Sequence, residues 1–190
     1  MVDMFALFAV QLNCRYPFCK MTAFAGEGDS TRPGMEIRIL WVGKTKNSPI
    51  RSLLEDYLDR VRHLVPVEIT QVRDQAKARD LSGNELVAAE EREILRLLPV
   101  HSRVVALDER GKEFSSPEFA RWLEGEQNRG SKEIAFVIGG SDGLGARVSA
   151  RAVLRLSLGR MTWTHEMSRV LLMEQIYRAI CILRKIPYHR

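Results

Sequence analysis

The chain has 190 residues, and 45% of them are hydrophobic, which is enough to bury a core in one main domain. A net charge of +5 and a pI near 9.3 favour a polyanionic partner such as nucleic acid, although many basic proteins bind none. Cys14, Cys19 and Cys181 form neither a disulfide framework nor a paired zinc-site spacing. We therefore expect free thiols in a cytoplasmic protein.

The first 34 residues differ in character from the rest. They contain a short apolar patch at residues 4–12, which is too short to span a bilayer, and a Gly/Ser/Thr/Pro run at residues 26–34 typical of a linker. A signal peptide is disfavoured, because Asp3 stands where positive charge is usual and no clean cleavage site follows. We expect residues 1–34 to be an N-terminal extension, disordered or outside the native protein, and residues 35–190 to form a single domain.

After Met35 the pattern alternates between strands and helices, which predicts an α/β fold with a parallel sheet. Strands are predicted at residues 37–42, 65–72, 103–107 and 134–138, with a short one around 161–163. Helices are predicted at residues 48–62 with Ser48 as N-cap, at 84–98, from Ser116 onward, through Val148, Ala152, Val153 and Leu156, and from His165 to about Lys185. A loop is expected at residues 74–82 and a turn at residues 108–112.

Two of these helices carry further signals. The apolar stripe of the 84–98 helix includes a carboxylate, Glu90, beside Leu86, Val87, Ile94, Leu95 and Leu98. The last helix is apolar round most of its circumference, and a soluble monomer seldom exposes so large a patch. We therefore expect it to pack on two sides, one of them against a partner subunit.

A glycine-rich turn follows the strand at residues 134–138 and contains Gly139, Gly140, Gly143 and Gly145. Glycines leave backbone amides open, and a second loop at residues 158–163 should lie at the same edge of the sheet, so the two could enclose a ligand. The turn matches neither the dinucleotide fingerprint nor the P-loop, and simple turn requirements remain an alternative. HExxH, GxSxG and Cys/His clusters are absent, so a metal site is not expected.

Further candidates lie in the last helix and the C-terminal tail. His165 follows Thr164 at a helix start, where a neutral imidazole is favoured and could act as a base, unless Thr164 simply caps the helix. Tyr188 and His189 could stack on an exposed base, or belong to a frayed terminus. Three arginines, four apart, would share one helix face that is either solvated or in contact with phosphate: Arg147, Arg151 and Arg155.

The chain closely resembles the RlmH family of SPOUT-class RNA methyltransferases over residues 35–190. The resemblance is carried by eight segments in order: residues 37–44, 107–112, 136–143, 156–158 with Met161 and Thr162, His165, Arg169 with Val170, 174–179, and Tyr188 with His189. Residues 1–34 have no counterpart in the family, which favours the interpretation of that segment as an extension.

The resemblance implies a homodimer with a C-terminal trefoil knot whose loops hold S-adenosylmethionine. It implies methylation of N3 of a pseudouridine in the helix 69 loop of 23S rRNA, on assembled ribosomes. Carried over by motif, the cofactor contacts are Leu107, Gly139, Gly140, Leu158, Gly159, Arg160, Met161, Thr162 and Trp163. Of these, Gly159, Arg160 and Trp163 stand where the family varies, which fits contacts made through the backbone.

A mechanism without metal or covalent intermediate follows as a hypothesis. His165 or His189 accepts or relays the N3 proton, Arg169 stabilises the developing imide anion, and Tyr188 helps to hold the base. The tail of one subunit would complete the pocket of the other. Two alternatives are a non-catalytic ribosome-binding protein of the same fold and a SPOUT methyltransferase with another RNA target.

Overall fold

The computed structural model describes residues 35–75, 81 and 83–188. The expectations for residues 1–34, for most of the 74–82 loop and for His189 concern positions outside the described residues. No helix in the described ranges is long and apolar enough to cross a membrane.

A parallel sheet of five strands forms the centre of the described chain. The strands are β1 (Glu36–Val42), β2 (Val67–Val72), β3 (Arg103–Glu113), β4 (Glu133–Ile138) and β5 (Leu154–Ser157). Their order across the sheet is β2-β1-β4-β3-β5, and every neighbouring pair is parallel. Because all strands point the same way, their carboxyl ends share one edge, where such sheets usually bind ligands.

Helices cover both faces of the sheet, which confirms the predicted α/β class with flanking helices. They are α1 (Ser48–Arg62), α2 (Gly83–Leu97), α3 (Ser116–Asn128), α4 (Ala146–Arg151) and α5 (His165–Leu183). In β1, Ile37, Ile39 and Trp41 pack in a core with α1, α3 and α5. Leu40 and Val42 point to the other face, where α2 and α4 lie. The alternation of side chains along a strand thus supplies both cores.

Helix α5 packs against α1 on one side and α3 on the other. Its large apolar side chains, among them Leu172, Met173 and Ile176, are buried in the core of their own chain. The apolar circumference noted in the sequence is therefore largely covered within one chain, and it does not by itself require a partner subunit. Cys181 is a buried free thiol, as expected.

The helix predicted through Leu156 is wrong beyond Arg151. At Ala152 the backbone turns extended, with φ −69° and ψ 130°, and the Val153 amide donates to the Val104 carbonyl of β3 at 2.9 Å. Residues 154–157 then pair with β3 as the edge strand β5. Arg155 therefore does not share a helix face with Arg147 and Arg151.

Three smaller predictions also need correction. The turn expected at residues 108–112 does not end β3, because Leu107 and Lys112 both pair with Leu156 and the residues between them bulge out of the ladder. The short strand around 161–163 is absent, and these residues form an irregular loop. The N-cap of α1 is Asn47 rather than Ser48, since the Asn47 side chain accepts from the Ile50 amide at 3.2 Å.

Candidate active site

A cleft of about 850 Å³ opens at the carboxyl ends of β3, β4 and β5. Its walls come from residues 107–110 in the bulged segment of β3, residues 138–144 at the end of β4, and residues 155–159 and 161–165 between β5 and the start of α5. Ser149 and Ser168 also belong to the lining. The volume lies in the range of small-molecule and cofactor sites. Both loops predicted to enclose a ligand thus line the same cleft, together with Leu107.

The glycine turn, residues 139–145, folds back tightly on itself. A Cβ on Gly139 would lie 2.6 Å from the carbonyl carbon of Gly143, so no larger residue fits there without moving the backbone. Gly143 has φ +85° and donates its amide to the Gly140 carbonyl at 3.2 Å. Glycine is thus required at position 139 for lack of space and at position 143 for its positive φ, and both keep the main chain of the turn against the cleft.

Two carboxylates of α2 support the glycine turn from behind. Glu90 is only 3% exposed, and a Cβ on Gly140 would lie 2.7 Å from its Oε2. The neighbouring Glu91 accepts the Arg147 amide at 2.6 Å and the Val148 amide at 3.4 Å, at the N-terminus of α4. Helix α2 therefore supports both ends of the turn.

Burial raises the pKa of Glu90 to about 7, and the nearby carboxylates of Asp74 and Asp142 raise it further, while a hydrogen bond from the Gly140 backbone opposes them. Its Oε2 has no hydrogen-bond partner. A carboxylate within the apolar stripe of α2 was the one sign of this residue in the sequence, and its contact with the turn left no sign there.

The second loop, residues 158–163, begins with a tight hydrogen-bonded turn. The Ser157 hydroxyl donates to the Gly159 carbonyl at 2.9 Å and accepts the Gly159 amide at 3.2 Å, while Gly159 has φ +123°. Beyond it, Met161 is 74% and Trp163 42% exposed, and both line the cleft. The loop thus offers large apolar surfaces to a ligand. Of the six loop residues predicted to contact the cofactor, Arg160 alone is absent from the cleft lining.

His165 is the first residue of α5, is exposed and lines the cleft. Thr164 caps the helix, since its Oγ1 accepts the Met167 amide at 3.3 Å. The capping role and the position of His165 at the cleft are compatible, so the two alternatives posed by the sequence do not exclude each other. The next residue, Glu166, accepts the backbone amides of Lys46 at 2.9 Å and Asn47 at 3.2 Å. Those bonds lower the pKa of Glu166 and fix the start of α5 beside the carboxyl end of β1.

Arg169 lies in the interior rather than in the cleft lining. Its side chain is 0% exposed, and its guanidinium donates to the Val42 carbonyl and the Thr45 hydroxyl, each at 2.6 Å. The group also stacks 5.2 Å above the Trp41 ring, and its Nε has no hydrogen-bond partner. Burial lowers the pKa of Arg169. In this arrangement the guanidinium joins α5 to the end of β1.

Tyr188 lies towards the other end of α5, apart from His165. Its hydroxyl is 3.2 Å from the Tyr57 hydroxyl and 3.2 Å from the Glu174 carboxylate, and its ring packs edge-on against Tyr177. Burial raises its pKa well above the ordinary value. Glu174 is nine residues, or roughly 14 Å of helix, beyond His165. Within one chain the structure therefore does not bring Tyr188 to the cleft.

Charged groups around the cleft are partly paired. Arg155, now on β5, forms an ion pair with Asp108 at 3.4 Å, and the Thr162 hydroxyl donates to Glu109 at 3.4 Å. Across the described residues no group of three His, Cys, Asp or Glu side chains could hold a metal ion. The arrangement suits a site that binds one organic ligand between backbone and apolar surfaces.

Comparisons with known proteins identify the class to which this fold and cleft belong. A family model described as "Predicted SPOUT methyltransferase" matches residues 35–189. The chain is 41% identical to a protein of Geotalea daltonii, 43% to one of Geobacter sulfurreducens and 41% to one of Allorhizobium ampelinum. Each alignment covers 82% of this chain and 99% of the relative, and each relative is named "Ribosomal RNA large subunit methyltransferase H".

The match over residues 35–189 makes the protein a methyltransferase of the SPOUT class. With its relatives near 40% identity across almost their whole length, the chain belongs to the RlmH family within that class.

Proposed function

We propose that the protein methylates N3 of a pseudouridine in the helix 69 loop of 23S rRNA, on assembled ribosomes in the cytoplasm, with S-adenosylmethionine as donor. The observation that carries the proposal is the cleft between the glycine turn and the 158–163 loop in a chain of the RlmH family. Its relatives are named for the RNA of the large ribosomal subunit. The net charge of +5 is compatible with that partner.

The residues of the cleft fit this donor. Gly139 and Gly140 line the cleft without side chains, which suits backbone hydrogen bonds to a nucleoside and an amino acid group. Leu107, Leu158 and Trp163 supply apolar surface for an adenine ring. We propose that the predicted contacts at residues 107, 139, 140 and 158–163 hold the donor, with backbone groups predominating where the family varies.

The bound donor supplies a methyl group on a sulfonium, which transfers by in-line displacement. The carbon–sulfur bond breaks as the carbon–nitrogen bond forms, the sulfur leaves as a thioether, and the N3 proton must pass to a base. His165 is the proposed acceptor among the described residues, because it is exposed and lines the cleft. His189 remains a second proposed acceptor or relay.

The roles of Arg169 and Tyr188 are proposed from their positions. Arg169 is buried and bonded to Val42 and Thr45, so we assign it to positioning α5, and with it His165, in preference to direct contact with the imide anion. Tyr188 lies away from the cleft of its own chain. Its predicted contact with the base therefore requires a homodimer in which the tail of one subunit reaches the cleft of the other.

A C-terminal trefoil knot is also part of the proposal. Support comes from the path of residues 158–164, which leave the edge strand β5 and lead into α5. In α5, Arg169 contacts Val42 at the end of β1, and Glu166 contacts Lys46 in the segment that follows β1. This path crosses the carboxyl ends of β3 and β4, where the glycine turn lies. A chain that threads a loop there would fix both walls of the cleft relative to each other.

The function is tested by comparing 23S rRNA from cells with and without the gene. We expect the pseudouridine in the helix 69 loop to carry a methyl group at N3 only when the gene is present, and complementation with His165→Ala to leave it largely unmethylated. An unchanged nucleotide would overturn the specific target. Loss of methylation at another rRNA position would favour a SPOUT methyltransferase with a different substrate, and calorimetry without donor binding would favour a non-catalytic ribosome-binding protein.

A further inference from the structure

Glu90 places a carboxylate directly behind the cleft without itself lining it. Its Oε1 and Oε2 would lie 2.9 and 2.7 Å from a Cβ on Gly140, and Gly140 lines the cleft. The carboxylate is therefore separated from the ligand space by a single glycine backbone. No side chain at position 140 can screen it.

Apart from a hydrogen bond from the Gly140 backbone, this carboxylate has little compensation from its surroundings. Oε2 has no hydrogen-bond partner although the residue is only 3% exposed. The charges that act on it are those of Asp74, in the loop after β2, and Asp142, in the glycine turn, and both are negative. On α2 itself the adjacent Glu91 is engaged by the amides of α4. None of the ion pairs among the described residues includes Asp74, Glu90 or Asp142.

We infer that ionised Glu90 makes the cleft discriminate by charge, favouring a cationic methyl donor over the neutral product that remains after transfer. An uncompensated charge in a poorly solvated position attracts a ligand cation more strongly than a surface carboxylate does. The inference rests on the proposed function, since the donor is a sulfonium cation and S-adenosylhomocysteine is an uncharged thioether at the same sulfur. Glu90 is thus a specificity-determining residue that acts through the glycine turn.

Charge discrimination has a consequence for turnover. Donor and product share the adenosine and amino acid groups, so contacts to those groups bind both equally and cannot separate them. A buried carboxylate behind Gly140 responds to the one feature that changes in the reaction, which is the positive charge on the sulfur. The product therefore loses part of its affinity at the moment the methyl group leaves, and its release becomes easier.

The same arrangement gives donor binding a pH dependence. Glu90 titrates near neutrality, with a pKa of about 7, so it is largely protonated at pH 6 and largely ionised at pH 8.5. A ligand that binds the ionised form better lowers that pKa and binds more tightly as pH rises. A fall of one unit in the pKa corresponds to about a tenfold gain in donor affinity across the titration.

Calorimetric titration of the full-length protein tests the inference with S-adenosylmethionine and S-adenosylhomocysteine as probes at pH 6 and 8.5. We expect the affinity for the donor to rise about tenfold over this range and that for the product to change much less. In Glu90→Gln the donor affinity should lose its pH dependence, and the ratio of donor to product affinity should fall. The matched control is Glu93→Gln, which removes a partly exposed carboxylate, paired with Arg96, from the same helix and should behave like the wild type.

A Glu90→Gln protein with the wild-type pH dependence and affinity ratio would overturn the inference. Failure of both probes to bind any variant would instead refute the proposed function, so the two failures are distinguishable. Should Glu90→Gln not fold, the wild type provides the test through the carboxyl ¹³C resonance of Glu90. We expect its pKa to fall on addition of the donor but not of the product, and an equal response to both would contradict charge discrimination.

Discussion

Single buried polar side chains fix the relation between the helices and the cleft. Glu90 supports the glycine turn from α2, and Arg169 joins α5 to the end of β1. Both have an atom without a hydrogen-bond partner, which native interiors seldom tolerate. Such groups cost stability, and the cost is measurable because each can be replaced by a neutral side chain of similar shape.

Glu90→Gln should change how stability depends on pH. A carboxyl whose pKa rises from 4.5 to about 7 on folding binds more protons in the native than in the unfolded state between those two values. The contribution of this carboxyl to the free energy of unfolding is therefore most favourable below pH 4.5. It falls by up to about 3 kcal/mol as the pH rises to about 7. Urea unfolding should show that the free energy of unfolding of the variant, relative to that of the wild type, is higher at pH 8 than at pH 5. A constant difference between the two proteins would contradict the buried ionisation.

Arg169→Met tests whether the buried guanidinium is chiefly a structural group. The substitution leaves the Val42 carbonyl and the Thr45 hydroxyl without their donor, so we expect a loss of about 1 to 3 kcal/mol in the free energy of unfolding. Methyl transfer should fall through displacement of His165, with donor affinity changed less than kcat. Unaltered stability with abolished transfer would favour the predicted direct contact with the imide anion.

Among the structural elements, the glycine turn depends most strictly on backbone contact. In Gly139→Ala the added Cβ would meet the Gly143 backbone, so the turn must open, and we expect donor affinity to fall at least tenfold with a stability loss of about 1 to 3 kcal/mol. Gly125→Ala is the control, because Gly125 lies within α3 with no atom closer than 4.0 Å to the added Cβ. That variant should be stabilised by about 0.5–1 kcal/mol. Calorimetry and urea unfolding separate the two effects, and unchanged donor affinity in Gly139→Ala would argue against the turn as a binding wall.

Local sequence patterns predicted most elements but misassigned β5. Val148, Ala152 and Leu156 repeat at helical spacing, yet the chain becomes extended at Ala152 because β5 completes its hydrogen bonds with β3, nearly 50 residues earlier. Such a long-range pairing cannot be detected from the hydrophobic pattern of a short stretch of sequence. Similarly, residues 108–112 have the composition of a turn, while Gly111 lets the bulged end of β3 approach the Arg155 backbone, which lies 2.7 Å from a hypothetical Cβ.

Across the whole molecule, the cleft was predictable in outline and its supporting residues were not. Glycines after a buried strand indicated one wall, the 158–163 loop was expected at the same edge of the sheet, and the family motifs added Leu107. Glu166 and the true position of Arg169 depend on α5 meeting β1, more than 100 residues earlier in the chain, and no spacing predicts that meeting. Exposure of His165 at the cleft likewise follows from where α5 begins rather than from the residue itself.

At the scale of the assembly, a mixed dimer tests whether two chains build each cleft. Tyr188 contacts Tyr57 and Glu174 of its own chain, away from its own cleft, so in this position the tail could serve only the cleft of a partner. One subunit would carry Gly139→Val in the glycine turn and the other His189→Ala in the tail. If tails are exchanged, each mixed dimer retains one intact site, and random mixing should recover about a quarter of wild-type methyl transfer to ribosomes.

Each variant alone is the control for this experiment and should show little transfer. Size-exclusion chromatography with light scattering must show a dimer in both, because a monomeric wild type would already contradict shared sites. If the mixture is no more active than the separate variants, each cleft uses the tail of its own chain. Tyr188 would then have to leave Tyr57 and Glu174 before it could approach the base, which predicts that Tyr57→Phe, by removing one of those contacts, accelerates rather than slows transfer.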